Sequence, residues 1–582
     1  MKGYLGKLLE VDLDSGELSD TMLDEKIAAD FLGGRGYGIK FLLDKNPKKV
    51  DPLSPENYLI FMTGPYTGTP GAFNAFYNVT TKSPLTNTCL SSHSGGFWGP
   101  WLKKAGYDGI IIEGRSEDPV FLVVDDGAAE LKDASDLWGL DVHETTDVIQ
   151  EDFKGSVATI GPAGENQVRF ASIINEKHRA AGRGGAGAVM GSKNLKAIAV
   201  KGKQQIPVAD SEKLRKSYLK AVRTAWKEPH TTFGQIGTPQ ALALLNEVGG
   251  LPTKNFQTGY FEEAEKITGE TLNEKHSIQN VSCYNCPIGC GSINKTDREE
   301  PSALETEGPE WETLMSFGSN CMNSNLASIL EANDLCDRLG MDTITMGNTI
   351  ALAMEMYEEG VLTEDDIESP LNWGDSETIL KLVKKTAARK GFGNKLAEGS
   401  ARLADELNYE SFTFRDMEPP AYDPRAVKGM ALAFATSPRG ACHMRAPMYV
   451  LEVFKKTLDR LRLTGKEKIL KEMQDRFAIM DSMLICKLAA RHGECGDWKD
   501  LADLLTFTTG LNFTRAKLME IGERVFDHEL EFNEREGVGG PTKPPSRIFE
   551  PMPSGPSQGE KVDEEEWEEV IKNYYRLRGR EY

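Results

Sequence analysis

The chain has 582 residues, 39% of them apolar, and a net charge of −21 from 68 basic and 89 acidic side chains. That length accommodates roughly two to four domains around a large core, and the acidic balance argues against nucleic acid or anionic lipid as a partner while leaving room for an anionic cofactor in a local basic or amide-rich pocket. The first ten residues lack an apolar leader core and no uncharged apolar run approaches about 18 residues, so a soluble, cytoplasmic protein without membrane insertion is expected.

Residues 1–208 read as a β-rich domain. Short β-branched runs end in hairpin signals, Lys7 to Leu13 before Asp14-Ser15-Gly16 and Val120 to Val124 before Asp125-Asp126-Gly127. Between them lie Ser91-Ser92-His93-Ser94-Gly95-Gly96, Gly161-Pro162-Ala163-Gly164-Glu165 and the run His178-Arg179-Ala180-Ala181-Gly182-Arg183-Gly184-Gly185-Ala186-Gly187. Each alone is an ordinary tight turn. Three in one domain, one with two arginines, predict amide-lined loops around a phosphate-bearing cofactor.

From Ser211 the apolar period becomes about 3.6 residues, as in Leu214, Tyr218, Ala221, Val222 and Ala225, and predicts a largely helical chain to about residue 530. We divide it into mainly helical domains at 209–415 and 416–582. Ser328 to Arg338 reads as a helix ended at Leu339-Gly340, with Asp342-Thr343 capping a second helix that runs to Gly360. Gly537 to Gly559 reads as an extended tail and Glu564 to Arg576 as a closing acidic helix.

The chemistry concentrates at Cys283-Tyr284-Asn285-Cys286-Pro287-Ile288-Gly289-Cys290. Three thiols so close converge on a metal centre only if the backbone turns tightly, as Pro287 and Gly289 allow. On spacing alone an iron–sulfur cluster and a structural zinc site are equal readings. The nine cysteines, unevenly clustered, suit a reducing compartment rather than a disulfide scaffold. Asp337-Arg338-Leu339-Gly340-Met341-Asp342 places two carboxylates at a helix end, where a carboxylate accepts paired hydrogen bonds from a guanidine-like edge such as that of a pterin. The pattern recurs in part from Asp481 to Cys486, whose thiol is the candidate fourth ligand. Helix capping and a buried free thiol are the plainer readings of either segment alone. Glu312 and His443 supply a carboxylate and an imidazole suited to proton transfer.

From end to end the chain resembles the tungsten-containing aldehyde ferredoxin oxidoreductase family. The resemblance is carried by Asp51-Pro52-Leu53-Ser54-Pro55-Glu56-Asn57, Thr81-Lys82-Ser83-Pro84-Leu85-Thr86, Ala105-Gly106-Tyr107-Asp108, the Gly161 and His178 loops, the Cys283 run, Glu305-Thr306-Glu307-Gly308-Pro309-Glu310, the Asp337 motif and Pro420-Ala421-Tyr422-Asp423-Pro424-Arg425. It implies an α+β fold, a β-rich base domain followed by two mainly α-helical domains enclosing a metal–bispterin cofactor. It favours a 4Fe-4S cluster over zinc, with Cys283, Cys286, Cys290 and Cys486 on the ligand positions. Tungsten, or molybdenum in its place, is held in the family by two pterins without a protein ligand. Asp337, Asp342, Thr343 and Asp481 fall on pterin contacts, and Arg439 and Arg445 flank the second pterin. His93, Ser94, Gly95 and Gly96, with Ala181, Gly182, Arg183, Gly184 and Gly185, fall on phosphate and magnesium contacts, the Mg2+ held by backbone carbonyls of His93 and Ala181. Glu312 and His443 fall on the acid–base pair beside the metal.

The implied reaction is oxidation of a small aldehyde to a carboxylic acid, with electrons passed through the cluster to ferredoxin or a ferredoxin-like subunit. Two alternatives stand beside it: the same scaffold reducing an acid or an aromatic acyl-coenzyme A thioester, and an electron-transfer or scaffold subunit without the metal–pterin site. Three positions depart from the family pattern. Phe76 stands before Tyr77-Asn78-Val79 where a pterin-contacting arginine is common. Leu484 stands where glycine is usual, which predicts a differently shaped helix end. Some members bridge a homodimer through iron held by Glu and His; Glu331 remains, but Asp334 and Lys381 stand where a histidine would be sought, so any oligomer is expected to form without a bridging iron.

Overall fold

The computed structural model describes residues 1–227, 230–488 and 497–582. Two mixed sheets build the N-terminal part. Strands β1 (Lys7–Asp12), β2 (Glu17–Met22), β3 (Leu59–Met62), β4 (Tyr77–Lys82), β5 (Cys89–Ser94) and β6 (Gly109–Glu113) form one, in the order β2-β1-β6-β3-β4-β5. Strands β7 (Val120–Asp125), β8 (Ala128–Asp133), β9 (Ser156–Thr159), β10 (Ile173–Asn175), β11 (Arg179–Ala181) and β12 (Leu195–Lys201) form the other, in the order β11-β10-β9-β12-β7-β8. The Asp-Gly signal works as read: Asp126 and Gly127 both have positive φ, 52° and 99°, in the two-residue turn between β7 and β8, the turn whose twist matches that of the strands. Val11, Phe61, Val79 and Ile112 of the first sheet share one apolar core with Leu122, Ala158, Ile198 and Val200 of the second. Short helices such as Gly34–Lys45, Trp98–Lys104 and Val142–Asp152 intervene, so the base is mixed α and β.

The rest is mainly helical. Ser211–Ala225 begins on Asp210, whose carboxylate accepts from the Lys213 N–H. Leu326–Leu339 ends at Gly340 and Thr343–Glu358 begins on Asp342, as the caps predict. Gly340 has φ +76°, and a Cβ there would lie 2.8 Å from the Gly161 backbone nitrogen. Glycine therefore lets this helix end approach the Gly161 loop. The helix Glu467–Met483 ends on Leu484 at φ 63° and ψ 55°, beside 76° and 58° for Gly340. The two ends are shaped alike, which corrects the expectation drawn from Leu484. Its buried side chain packs on Gly34 and helps offset a left-handed strain of about 1–2 kcal/mol.

Helical periodicity missed a third, antiparallel sheet of β13 (Ser277–Val281), β14 (Gly291–Lys295) and β15 (Glu305–Glu307). Its strands are short and mostly exposed on β13, so no apolar alternation announces them. The cysteine run is the connection between β13 and β14. The segment 537–559 has no strand and only short turns, at Ser546–Phe549 and at 556–559, and the closing helix Glu564–Leu577 buries Trp567, Val570, Ile571, Tyr574 and Tyr575 on one face. Asp334 pairs within the chain with Arg338 at 2.8 Å. No helix among the described residues is long and apolar enough to cross a membrane.

Candidate active site

One cavity of about 400 Å³ draws its wall from β5, the loop after β11, the β13–β14 connection, the starts of the helices Trp311–Phe317 and Thr343–Glu358 and the second half of Leu326–Leu339. Cys283, Cys286, Cys290 and Cys486 line it, as do His93, Ser94, Gly95 and Gly182. So do Asp337, Asp342, Thr343, Glu312 and His443. Gly96, Ala181, Arg183, Gly184, Gly185, Arg439, Arg445 and Asp481 are not part of that wall. Strands β5 and β11 touch, so His93 and Ala181 come from neighbouring strands.

The cysteine run is folded back by Asn285 and Gly289, at φ 50° and 66°. The Tyr284 N–H donates to the Gly96 carbonyl at 3.0 Å, Phe73 N–H to Asn285 O at 3.1 Å and Cys486 N–H to Phe73 O at 2.9 Å. The loop at Phe73 thus holds the run and the distant Cys486 together. Burial pushes the Cys290 thiol well up, and Glu310 and the thiols of Cys286, Cys486 and Cys283 add to it. All eight described cysteines are free of disulfides. A Cβ on Gly95 would sit 3.0 Å from Cys283 Sγ, so the amide-rich loop lies directly against the thiols.

Glu312 follows Trp311 in the first turn of the helix Trp311–Phe317. Its Oε2 accepts from the Ala421 N–H at 2.7 Å, and Oε1 lies 3.4 Å from His443 Nε2. Oε1 and His443 Nδ1 are buried without a hydrogen-bond partner among the described residues. Burial pushes the Glu312 carboxyl up to about 8, against the pull of the Ala421 N–H and Arg183. Burial, then Arg183, Arg439 and Lys487, hold His443 well below its usual range. Both groups are therefore neutral near pH 7.

Asp337 is pushed up to about 7 by burial, with His178 Nδ1 at 3.4 Å drawing it back. Asp342 accepts from Ile344 N–H at 3.1 Å, the Thr345 hydroxyl at 2.7 Å and Arg183 Nε at 3.0 Å. Arg183 also donates to Ala441 O at 2.9 Å and Glu418 O at 2.7 Å, and Arg179 pairs with Glu307. Arg183 thus braces the walls, while Arg179 itself lines the cavity beside Cys283 and Cys290.

Behind His93 lies a buried charged network. Asp481 pairs with Arg445 at 2.7 Å, Lys487 at 2.6 Å and Arg35 at 3.2 Å, and Arg35 also holds Glu529. Burial would push Asp481 up, but His93, Lys487, Arg445 and Arg35 hold it far below the carboxylate range. Arg439 and Arg445 both donate to Ser91 O, at 2.8 and 2.9 Å. Burial would also push up the Cys442 thiol, but Arg439, Arg445 and Lys487 bring it down to about 7. Four cations (Arg35, Arg439, Arg445, Lys487) meet two carboxylates (Asp481, Glu529) and the Cys442 thiol, which accepts from Arg439 Nη2 at 3.0 Å, so positive charges still outnumber negative ones. Arg439 Nε and Arg445 Nε have no partner among the described residues. Such buried, uncompensated cations require an anion.

Sequence reasoning missed Arg35, His178, Glu529 and Lys487. Arg35 had a signal in Gly33-Gly34-Arg35-Gly36-Tyr37-Gly38, and Lys487 directly follows the candidate ligand Cys486. Glu529 had none, because its partner lies far away in the chain.

Comparison with known families decides what this cavity belongs to. The model of the aldehyde ferredoxin oxidoreductase N-terminal domain matches residues 8–202, and that of domains 2 and 3 of the same family matches residues 215–581. The chain belongs to the aldehyde ferredoxin oxidoreductase family. A tungsten-containing aldehyde ferredoxin oxidoreductase of Pyrococcus abyssi is 43% identical, and that of Pyrococcus furiosus 42%, over 100% of this chain and 96% of each relative. The active-site complex BamBC of benzoyl coenzyme A reductase shares the fold, with a TM-score of 0.82 over 99% of this chain and 95% of that one, at 24% identity. As an aldehyde ferredoxin oxidoreductase family member the chain is an oxidoreductase. Its residues fit the metal–pterin and iron–sulfur groups of such an enzyme: the network behind His93 lacks anions, and four thiols share the cavity wall.

Proposed function

We propose that this chain oxidises a small aldehyde with water to a carboxylic acid at a tungsten–bispterin centre, where molybdenum is the alternative metal, and passes the electrons singly to a ferredoxin-like acceptor in the cytoplasm. The observation that carries this reading is the buried Glu312–His443 pair, 3.4 Å apart on the wall that also takes in all four thiols. Cys283, Cys286, Cys290 and Cys486 would hold the 4Fe-4S cluster. Asp337, Asp342, Thr343 and Asp481, with Arg439 and Arg445, would hold the pterins. The amides and carbonyls of 93–96 and 181–185 would hold their phosphates and Mg2+. When bound, these groups supply a two-electron acceptor and a one-electron relay. The balance is aldehyde plus water to acid, two protons and two electrons.

His443, neutral, donates a hydrogen bond to the aldehyde oxygen and makes its carbon more electrophilic. Glu312, fixed at Oε2 by Ala421, takes a proton from the attacking water at Oε1. The adjoining wall is aromatic. The Trp311 ring N–H donates to the Tyr422 hydroxyl at 3.3 Å, and Tyr422 stacks on Tyr449 at 4.1 Å and lies 5.9 Å from His443. Such a wall suits a planar, apolar aldehyde. Because burial raises Glu312 to about 8, its basic form accumulates as pH rises through that value. Viologen reduction by an aryl aldehyde is therefore expected to show kcat/KM climbing through about pH 8. A flat profile would remove Glu312 as the base, and no aldehyde-dependent reduction by metal-loaded enzyme would contradict the function.

A further inference from the structure

We infer that Lys487 is a positioning residue for the anionic pterin beside the cluster, tying that pterin to the chain segment that carries Cys486. The inference rests on the metal–pterin function proposed above. Lys487 follows Cys486 directly, and its side chain is 9% exposed. An ammonium carries three N–H donors. Asp481 Oδ1 takes one at 2.6 Å and Met444 O another at 2.8 Å. The Phe477 ring, 5.7 Å away, lies near the outer limit of a cation–π contact. Among the described residues, one donor is thus left for a ligand.

The placement points the same way. Cys486, Leu488 and Met444, which adjoin Lys487, line the cavity, and Lys487 itself lies just behind that wall. The charge of Lys487 is felt at His93, Cys442 and His443, on different segments of the site. Asp481 Oδ2 serves Arg35 and Arg445 while Oδ1 serves Lys487, so one carboxylate faces three cations and leaves part of their charge unbalanced. Phe76 brings no charge: its ring would meet a Cβ on Gly95 at 3.4 Å, beside Cys283 Sγ. Phe73, in the same loop, holds the Cys486 N–H. An apolar ring and a buried ammonium therefore flank the two arms of the cluster site, and of the two the ammonium is the one that carries charge toward an anionic cofactor.

The test uses anaerobically purified holoenzyme as wild type, Lys487→Met, Lys487→Arg, and Lys487→Met combined with Phe76→Arg. Tungsten and iron are followed by elemental analysis during dialysis, and the cluster potential by a redox titration read by electron paramagnetic resonance. Lys487→Met is expected to keep its iron, lose tungsten about tenfold faster than wild type, and shift the cluster to a more negative potential. Lys487→Arg, and Phe76→Arg in the Met background, are expected to restore tungsten retention. Wild-type tungsten retention and an unshifted potential in iron-loaded Lys487→Met would overturn the inference. If the Met variant does not fold, Lys487→Gln is read by the same two outcomes. Wild-type enzyme that binds iron but no tungsten or molybdenum would instead overturn the proposed function.

Discussion

Glu312→Gln is expected to lower kcat by about 10³-fold while leaving tungsten, iron and the thermal midpoint unchanged. The side chain keeps its size, and its remaining oxygen still accepts from the Ala421 N–H, a 2.7 Å bond. The carboxyl, raised to about 8 by burial, is already neutral near pH 7, so no buried charge is lost. What disappears is the acceptor at Oε1, facing His443 Nε2 at 3.4 Å. Viologen-coupled kcat and metal content measured on one preparation separate the outcomes. Loss of tungsten would make Glu312 a structural residue, and wild-type kcat would move the base elsewhere.

Arg35→Met is the variant expected to cost the most stability. Arg35 is fully buried and joins Asp481, at 3.2 Å, to Glu529, with the two carboxylates coming from the helices Glu467–Met483 and Arg515–Glu536. Removing it takes away the close partner of Glu529 and leaves that buried carboxylate only Arg445, at 3.9 Å, a loss of about 3–5 kcal/mol. The thermal midpoint should fall by about 3 °C, and a combined Arg35→Met and Glu529→Gln variant should recover part of that fall because the unpaired charge goes with it. An unchanged midpoint in the single variant would mean that Arg445 and Lys487 already satisfy both carboxylates.

Much of the site was legible because its parts are local. The turn at Gly289, the cap at Asp342 and the left-handed Gly340 follow from residue types a few positions apart, whereas the left-handed Asn285 was not foreseen beside Pro287. The twin helix end at Leu484 was misread, since a buried leucine can occupy a glycine conformation when packing on Gly34 compensates. The strands around the cysteines were hidden because they are short and exposed. The Asp481 network was hidden for a different reason. Arg35 and Glu529 meet only after folding, and no periodicity records a pairing between residues 494 positions apart. Arg183 looked like a phosphate ligand, but its guanidinium is tied to Asp342, Ala441 and Glu418, so the glycine-rich loop offers its backbone instead.

Elemental analysis of anaerobically purified protein from cells supplied with tungstate and molybdate tests the central claim most directly. About one tungsten or molybdenum and about four irons per chain are the expected result, since four thiols line the cavity and a buried cation-rich network lies behind it. Iron without either heavy metal, or zinc in place of iron, would contradict it.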